Sequence, residues 1–218
     1  MNHTTYKKLF SKISAVAEKK LSNNPGCHDW DHTARVLRNS QIICRGERRA
    51  DKKVVEIASL LHDISRSSDM HGKGKKCHAL SGAKIARKIL EKISFLNGEF
   101  VDKVCLCVKR HRFRGDDPPI SIEEKIVYDA DKLDSLGAVG IGRAFHFAGR
   151  IGARLHNTEK EALESSSYSR NDSAYREYLV KMRYLPSKML TKTGRKLAKR
   201  RADYMKKFFE EMERETGS

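Results

Sequence analysis

The residues of this chain best suited to chemistry are His62 and Asp63, adjacent at the end of the apolar run VVEIASLLHDIS. His32 stands upstream in HDWDHTARVL, and Asp131 downstream in DADKLDSLG. Two imidazoles and two carboxylates make a mixed nitrogen and oxygen donor set for a divalent cation. Neighbouring side chains on a helix point about 100° apart, so His62 and Asp63 can share one ion only near a helix end or in a crowded core. A bare His-Asp pair arises often by chance, and its bland reading is a satisfied hydrogen bond. The surroundings favour the ion. Val54, Val55, Ile57, Ala58, Leu60 and Leu61 make a helix apolar round most of its girth, which predicts a central place in the fold. A charged pair in such a helix is costly unless it is paired or bound to metal.

Three segments, HDWDHTARVL, ASLLHDISR and VYDADKLDSLGAVGIGRAF, together resemble the HD-domain metal-dependent phosphohydrolases, whose signature runs His…His-Asp…Asp. Within that superfamily the chain is similar to the small uncharacterised or pyrophosphohydrolase-like proteins of bacteria and archaea. The resemblance spans about residues 25–150, with all four signature positions in order. It implies an all-α fold, the HD-domain helical bundle, and a bound divalent cation (Mn, Mg, Co, Ni, Fe or Zn). It also implies hydrolysis of a phosphate ester or anhydride. Carried over position by position, it gives His32, His62, Asp63 and Asp131 as metal ligands, with Asp63 also catalytic.

Two further histidines, His78 and His111, stand where some HD families add a second metal position or a contact to substrate phosphate. By position alone they are polar residues at helix ends, and His111 suits the negative end of a helix dipole. Several nucleotide-cleaving HD families place a Glu three residues after the Asp of the pair; here that residue is Arg66. A guanidinium stays protonated and cannot act as a general base, but it grips phosphate through parallel hydrogen bonds. The proton-transfer residue is therefore not given by the resemblance. If DADKLD is helical, Asp131 and Asp134 share a face, making Asp134 a second catalytic candidate that orients a ligand or a water. Its alternative is a helix salt bridge.

At 218 residues the chain fits one domain with a core of ordinary size. The expected organisation is a single HD-type helical domain over 1–218, with a polar excursion at 156–173 and C-terminal helices at 174–218 completing the bundle. No apolar run approaches the roughly 20 residues needed to cross a bilayer. The N-terminus reads as an amphipathic helix (Leu9, Ile13, Val16, Ala17 and Leu21 near one face) without a signal-peptide cleavage site. Five cysteines form no paired framework, which fits a reducing compartment. The expected location is the cytoplasm.

The formal net charge is +17, gathered at 45–49 with Lys52 and Lys53, at 73–76, at 109–114 and at 192–201. Such a balance raises the odds of an anionic partner. The second and third clusters adjoin the candidate histidines, so Lys73, Lys75, Lys76, Lys109 and Arg110 join Arg66 as candidate phosphate contacts. A solvated basic surface is the competing account of the same residues. Residues 67–76, with two glycines among lysines, read as a flap after the His-Asp pair.

Helical periodicity dominates elsewhere, predicting helices at about 4–22, 30–45, 51–65, 78–95, 98–111 and 121–136. The glycines of GAVGIGRAFHFAGRIGARL do not match a nucleotide-binding spacing and predict close helix packing, with His146 in the core. Beyond it, Tyr178, Leu179, Met182 and Leu185 form one apolar face. Leu190, Leu197, Ala198, Tyr204, Met205, Phe208 and Phe209 form another, after a break at Pro186.

The leading functional expectation is a metal-dependent phosphohydrolase acting on a small phosphorylated metabolite, foremost a nucleotide. A divalent ion lowers the pKa of bound water and neutralises charge developing on a phosphoryl oxygen. The alternatives are a basic nucleic-acid-binding protein on an HD scaffold, read from the charge, and an HD-type di-iron oxygenase, read from the two extra histidines. Low aromatic content, 7%, disfavours single-strand binding by stacking. The sequence leaves the oligomeric state open, a dimer included.

Overall fold

The structure, a computed structural model, describes residues 1–24, 26–66, 78–112 and 117–217, and only the backbone of His78. Residues 67–76, with Lys73, Lys75 and Lys76, lie outside these residues. Among the described residues every regular element is a helix, as the periodicity predicts. None of the helices is long and apolar enough to cross a membrane.

The polypeptide divides into two compact units, Met1–Asp131 and Lys132–Ser218. The first contains α1 (His3–Leu21), α2 (Trp30–Gly46), α3 (Lys52–Leu61), α4 (His78–Leu90), α5 (Gly98–Arg110) and most of α6 (Ile122–Leu133). Helix α3 is its axis, with every residue from Val54 to Leu61 buried and α1, α2 and α5 packed around it. Its start is fixed by Asp51, whose side chain accepts the backbone N–H of Lys53 and Val54. Each fully buried aliphatic side chain in such a helix contributes about 1.5–3 kcal/mol. Helix α1 buries Leu9, Ile13, Ala17 and Leu21, one residue per turn, on α3. Glu56, also buried in α3, accepts hydrogen bonds from Tyr6 and Gln41 and lies 3.7 Å from Lys52. Helices α4 and α5 pack on each other.

Several helices stop short of the predicted ends. Helix α3 ends at Leu61 rather than 65, because the backbone turns at His62. Helix α4 ends at Leu90 rather than 95, and α6 at Leu133 rather than 136. The first of these matters for chemistry: the His-Asp pair lies just beyond a helix end, where adjacent side chains can converge.

The second unit begins with α7 (Gly137–Arg150), followed by α8 (Glu159–Glu164), α9 (Ala174–Val180), a 3-10 helix (Met182–Lys188) and α10 (Lys192–Thr216). The polar excursion carries the short α8, held by a capping box between Thr158 and Glu161. Helix α10 packs on α7 and on the 3-10 helix. It buries Gly194, Ala198, Met205 and Phe209, and Phe209 stacks on Tyr178 at 4.5 Å between ring centres. Leu190 and Tyr204, expected on that apolar face, are exposed, as is His146, which was expected in the core. In α10 the face is narrower than the count of apolar residues implied. Close packing in the glycine stretch is seen at Gly140, where an added Cβ would lie 2.4 Å from the backbone oxygen of Ser135.

Candidate metal centre

Three helix ends of the first unit bring the signature residues together. His32 lies in the first turn of α2, whose start is capped by Asp29 accepting the His32 N–H at 2.9 Å. His62 and Asp63 follow the end of α3, and Asp131 lies near the end of α6. His32, His62 and Asp63 are almost fully buried, and the Asp131 side chain is largely so. Helix α2 is tied to α6 by Asn39, whose side-chain amide donates to the carbonyl of Ala130 at 3.1 Å, one residue before Asp131.

The donor atoms converge. His32 Nε2 lies 3.2 Å from His62 Nε2, 3.4 Å from Asp131 Oδ1 and 3.7 Å from Asp63 Oδ2. His62 Nε2 lies 3.8 Å from Asp63 Oδ2 and 4.0 Å from Asp131 Oδ1. The donor atoms form two overlapping sets that share His32, namely His32, His62 and Asp131, and His28, His32 and Asp63, each with its atoms within 4.8 Å of one another. Ligands about 2.0–2.2 Å from a common centre stand about 3–4 Å from one another, so the spacings around His32 suit a divalent ion held by nitrogen and oxygen.

The protonation pattern fits as well. His62 Nδ1 lies 2.8 Å from the carbonyl of Ser59, and His111 Nδ1 lies 2.7 Å from the carbonyl of Val108. A carbonyl only accepts, so both rings donate through Nδ1, and each turns its Nε2 edge towards the cluster. Burial pushes the His62 imidazole down to about 4, against the pull of Asp63 and Asp131, so it is neutral near pH 7. Burial opposes the charge of Asp63, but His62, His111 and His28 outweigh it and hold the carboxyl well below the usual range. Neutral imidazoles and ionised carboxylates are the forms that bind metal. His111 Nε2 lies 3.5 Å from Asp63 Oδ1.

The other candidates fall into three groups. His111, at the end of α5, joins the cluster, with its ring centre 5.2 Å from that of His62. Its interaction with the helix end and its approach to Asp63 coexist, one on each ring nitrogen. Arg66 follows Asp63 by one turn, its N–H donating to the Asp63 carbonyl at 2.9 Å. Lys109 and Arg110 are engaged elsewhere: Lys109 with Asp117 at 2.6 Å, Arg110 with Asp117 at 2.8 Å and Glu124 at 3.1 Å. Asp134 belongs to the second unit and is buried against Arg143, whose guanidinium also reaches the Asp134 carbonyl. This is the salt-bridge alternative in form, with Arg143 as the partner. The side chain of His78 lies outside the described residues. Cys44, Cys105 and Cys107 are buried, as expected of small apolar residues.

One residue was not singled out by sequence reasoning. His28 Nδ1 lies 2.9 Å from Asp63 Oδ2, and its ring meets that of His32 edge to face at 4.8 Å. Burial pushes its imidazole down, while Asp63 pulls it up. The four-residue spacing from His32 in HDWDH was a signal for it. His28 precedes α2, however, so helix-face reasoning does not reach it.

Comparison with known proteins agrees with this geometry. The HD domain family model matches residues 29–136. The uncharacterised protein YpgQ of Bacillus subtilis is 32% identical over 212 residues, covering 95% of this chain and 94% of that protein. The crystal structure of YpgQ in complex with ADP superposes with a TM-score of 0.73 at 29% identity, covering 97% of this chain and 96% of the other. A predicted HD-superfamily hydrolase from an uncultured Thermotogales bacterium gives a TM-score of 0.68 at 27% identity, with 99% of both chains covered. An HD-superfamily hydrolase from Bacillus thuringiensis gives 0.75 at 25% identity, covering 98% and 99%. With its His…His-Asp…Asp residues gathered on an all-helical scaffold, the chain belongs to the HD-domain family and has the fold of HD-superfamily hydrolases.

Proposed function

We propose that the chain is a metal-dependent phosphohydrolase that cleaves a phosphate ester or anhydride of a small phosphorylated metabolite, with nucleotides as the substrate class. The observation that carries this reading is the gathering of the His32, His62 and Asp131 donor atoms within 4.8 Å of one another, with Asp63 Oδ2 3.7 Å from His32 and 3.8 Å from His62. YpgQ, which has been solved with ADP, supports the nucleotide class. So does a formal charge of +17.

His32, His62, Asp63 and Asp131 would hold the ion, which when bound supplies an activated water and screens phosphoryl charge. The chain's own residues do the rest. Asp63 stays ionised among the imidazoles and keeps its oxygens available as acceptors. His111 Nε2 lies 3.5 Å from Asp63 Oδ1, close enough to share a water with it or to ligate a further cation. Arg66 provides a permanent positive charge one turn from Asp63, suited to gripping phosphate and not to abstracting a proton. The salt bridges of Lys109 and Arg110 shift the phosphate-binding role towards Arg66 and the lysines at 73, 75 and 76.

The test is release of phosphate or pyrophosphate from a nucleotide panel in Mn²⁺, Mg²⁺ or Co²⁺, with EDTA as control. Release in metal, silence in EDTA and silence of Asp63→Ala are expected. Turnover by Asp63→Ala at the wild-type rate would sink the assignment.

A further inference from the structure

Among the described residues four imidazoles lie about Asp63, but they do not approach it in the same way. His62 and His111 have their Nδ1 protons committed to the carbonyls of Ser59 and Val108, so neither Nδ1 is turned to Asp63. His32 lies 3.7 Å from Asp63 Oδ2, beyond a hydrogen bond. His28 alone approaches through Nδ1, at 2.9 Å, the shortest of the four contacts. An ionised carboxylate only accepts, so the proton in this bond sits on His28 Nδ1.

The backbone around His28 is itself held. Asn24 donates from its side-chain amide to the His28 carbonyl at 3.1 Å, and the next residue, Asp29, caps α2. The imidazole is thus carried by a short segment fixed on both sides, one end of which is the helix that bears His32. The side chain is only one-third exposed, with its edge against the His32 ring. His28 lies just outside the stretch that matches the HD family model, which begins at residue 29.

We propose that His28 is a positioning residue of the metal centre: its Nδ1–H fixes the Asp63 carboxylate through Oδ2, setting the rotation at which Asp63 meets the ion. The inference rests on the metal-centre reading given above. Its energetic basis is general. Hydrogen bonds to ligating side chains orient them, and removing one weakens metal binding about 10–100-fold. The bond also holds Asp63 in one orientation before the ion arrives, so less freedom is lost on binding.

Asparagine provides a clean control, because its side-chain N–H lies close to where the Nδ1–H of histidine lies, whereas it has no imidazole. The experiment measures the Mn²⁺ dissociation constant from the electron paramagnetic resonance signal of free Mn²⁺, for metal-stripped wild type, His28→Ala, His28→Asn and Asp63→Ala. Circular dichroism in EDTA checks the fold of each. The expected result for His28→Ala is a dissociation constant about 10–100-fold higher, with the fold intact. His28→Asn should remain within a few-fold of wild type. Wild-type affinity in His28→Ala overturns the proposal. His28→Asn as weak as His28→Ala also overturns it, in favour of the imidazole binding the ion directly. Failure of wild type itself to bind Mn²⁺ more tightly than Asp63→Ala would instead overturn the metal-centre reading, and this proposal with it.

Discussion

Asn39 is a sensitive test of how the ligands are spaced. It lies seven residues after His32, two turns further along the same face of α2, and its amide reaches the carbonyl of Ala130 beside Asp131. The residue is 4% exposed, so water does not replace the bond when the side chain is cut back. Removing one partner of a buried hydrogen bond costs about 1–3 kcal/mol. In a chain of this size that lowers Tm by about 2–12 °C. The same bond helps hold His32 Nε2 and Asp131 Oδ1 3.4 Å apart. If binding must restore that spacing, the same energy raises the metal dissociation constant about 5- to 150-fold. Asn39→Ala should therefore have a lower Tm in EDTA and a still larger deficit in saturating Mn²⁺, both read by circular dichroism. An unchanged Tm in EDTA would show that the bond carries no stability. An equal deficit with and without metal would refute its role in setting the ligand spacing.

Two further substitutions probe elements away from the centre. Helix propensity alone credits Gly140→Ala with about 1 kcal/mol of stabilisation. The new Cβ would sit 2.4 Å from a backbone oxygen, so the expected outcome is a net loss of about 1–3 kcal/mol by urea unfolding; a gain would contradict the packing. Burial, and then the bond to Glu56 and its charge, push the Tyr6 phenol above its ordinary value of 10.0. The folded state therefore keeps a proton that the unfolded state releases as pH climbs past 10.0, so this contribution is complete below that pH and declines above it. Between pH 9 and about 11 the Tm of wild type should fall more steeply than that of Tyr6→Phe. Parallel slopes would show that the phenol is not perturbed.

The fold was legible wherever apolar periodicity ran unbroken. The girth of α3 and the stripe of α1 follow directly from Val54–Leu61 and from Leu9, Ile13, Ala17 and Leu21. What periodicity does not carry is the point at which a helix stops, and here that point decides the chemistry. His62 and Asp63 look like two more helical residues in the sequence, yet the turn after Leu61 is what lets both face His32. The four signature residues were legible because the pattern of residue types is specific. His28 was not, because its contact to Asp63 is made across 35 residues from a segment without regular structure. Lys109 and Arg110 were read as candidate phosphate contacts because no spacing rule pairs them with Asp117 and Glu124, 7–14 residues further on.

The way His62 and His111 are oriented has a consequence for mutational drift. Each ring is fixed by the carbonyl three positions earlier, and a carbonyl is supplied by every amino acid. Ser59 and Val108 can change type without removing the acceptor, so long as their helices stay intact. The ring orientation of these two histidines is therefore inherited from the backbone and tolerates substitution around it. Asp63 has no such insurance: its short contact comes from a side chain, so a single codon change at His28 removes it. Within one cluster, two members are buffered against change and one is exposed to it.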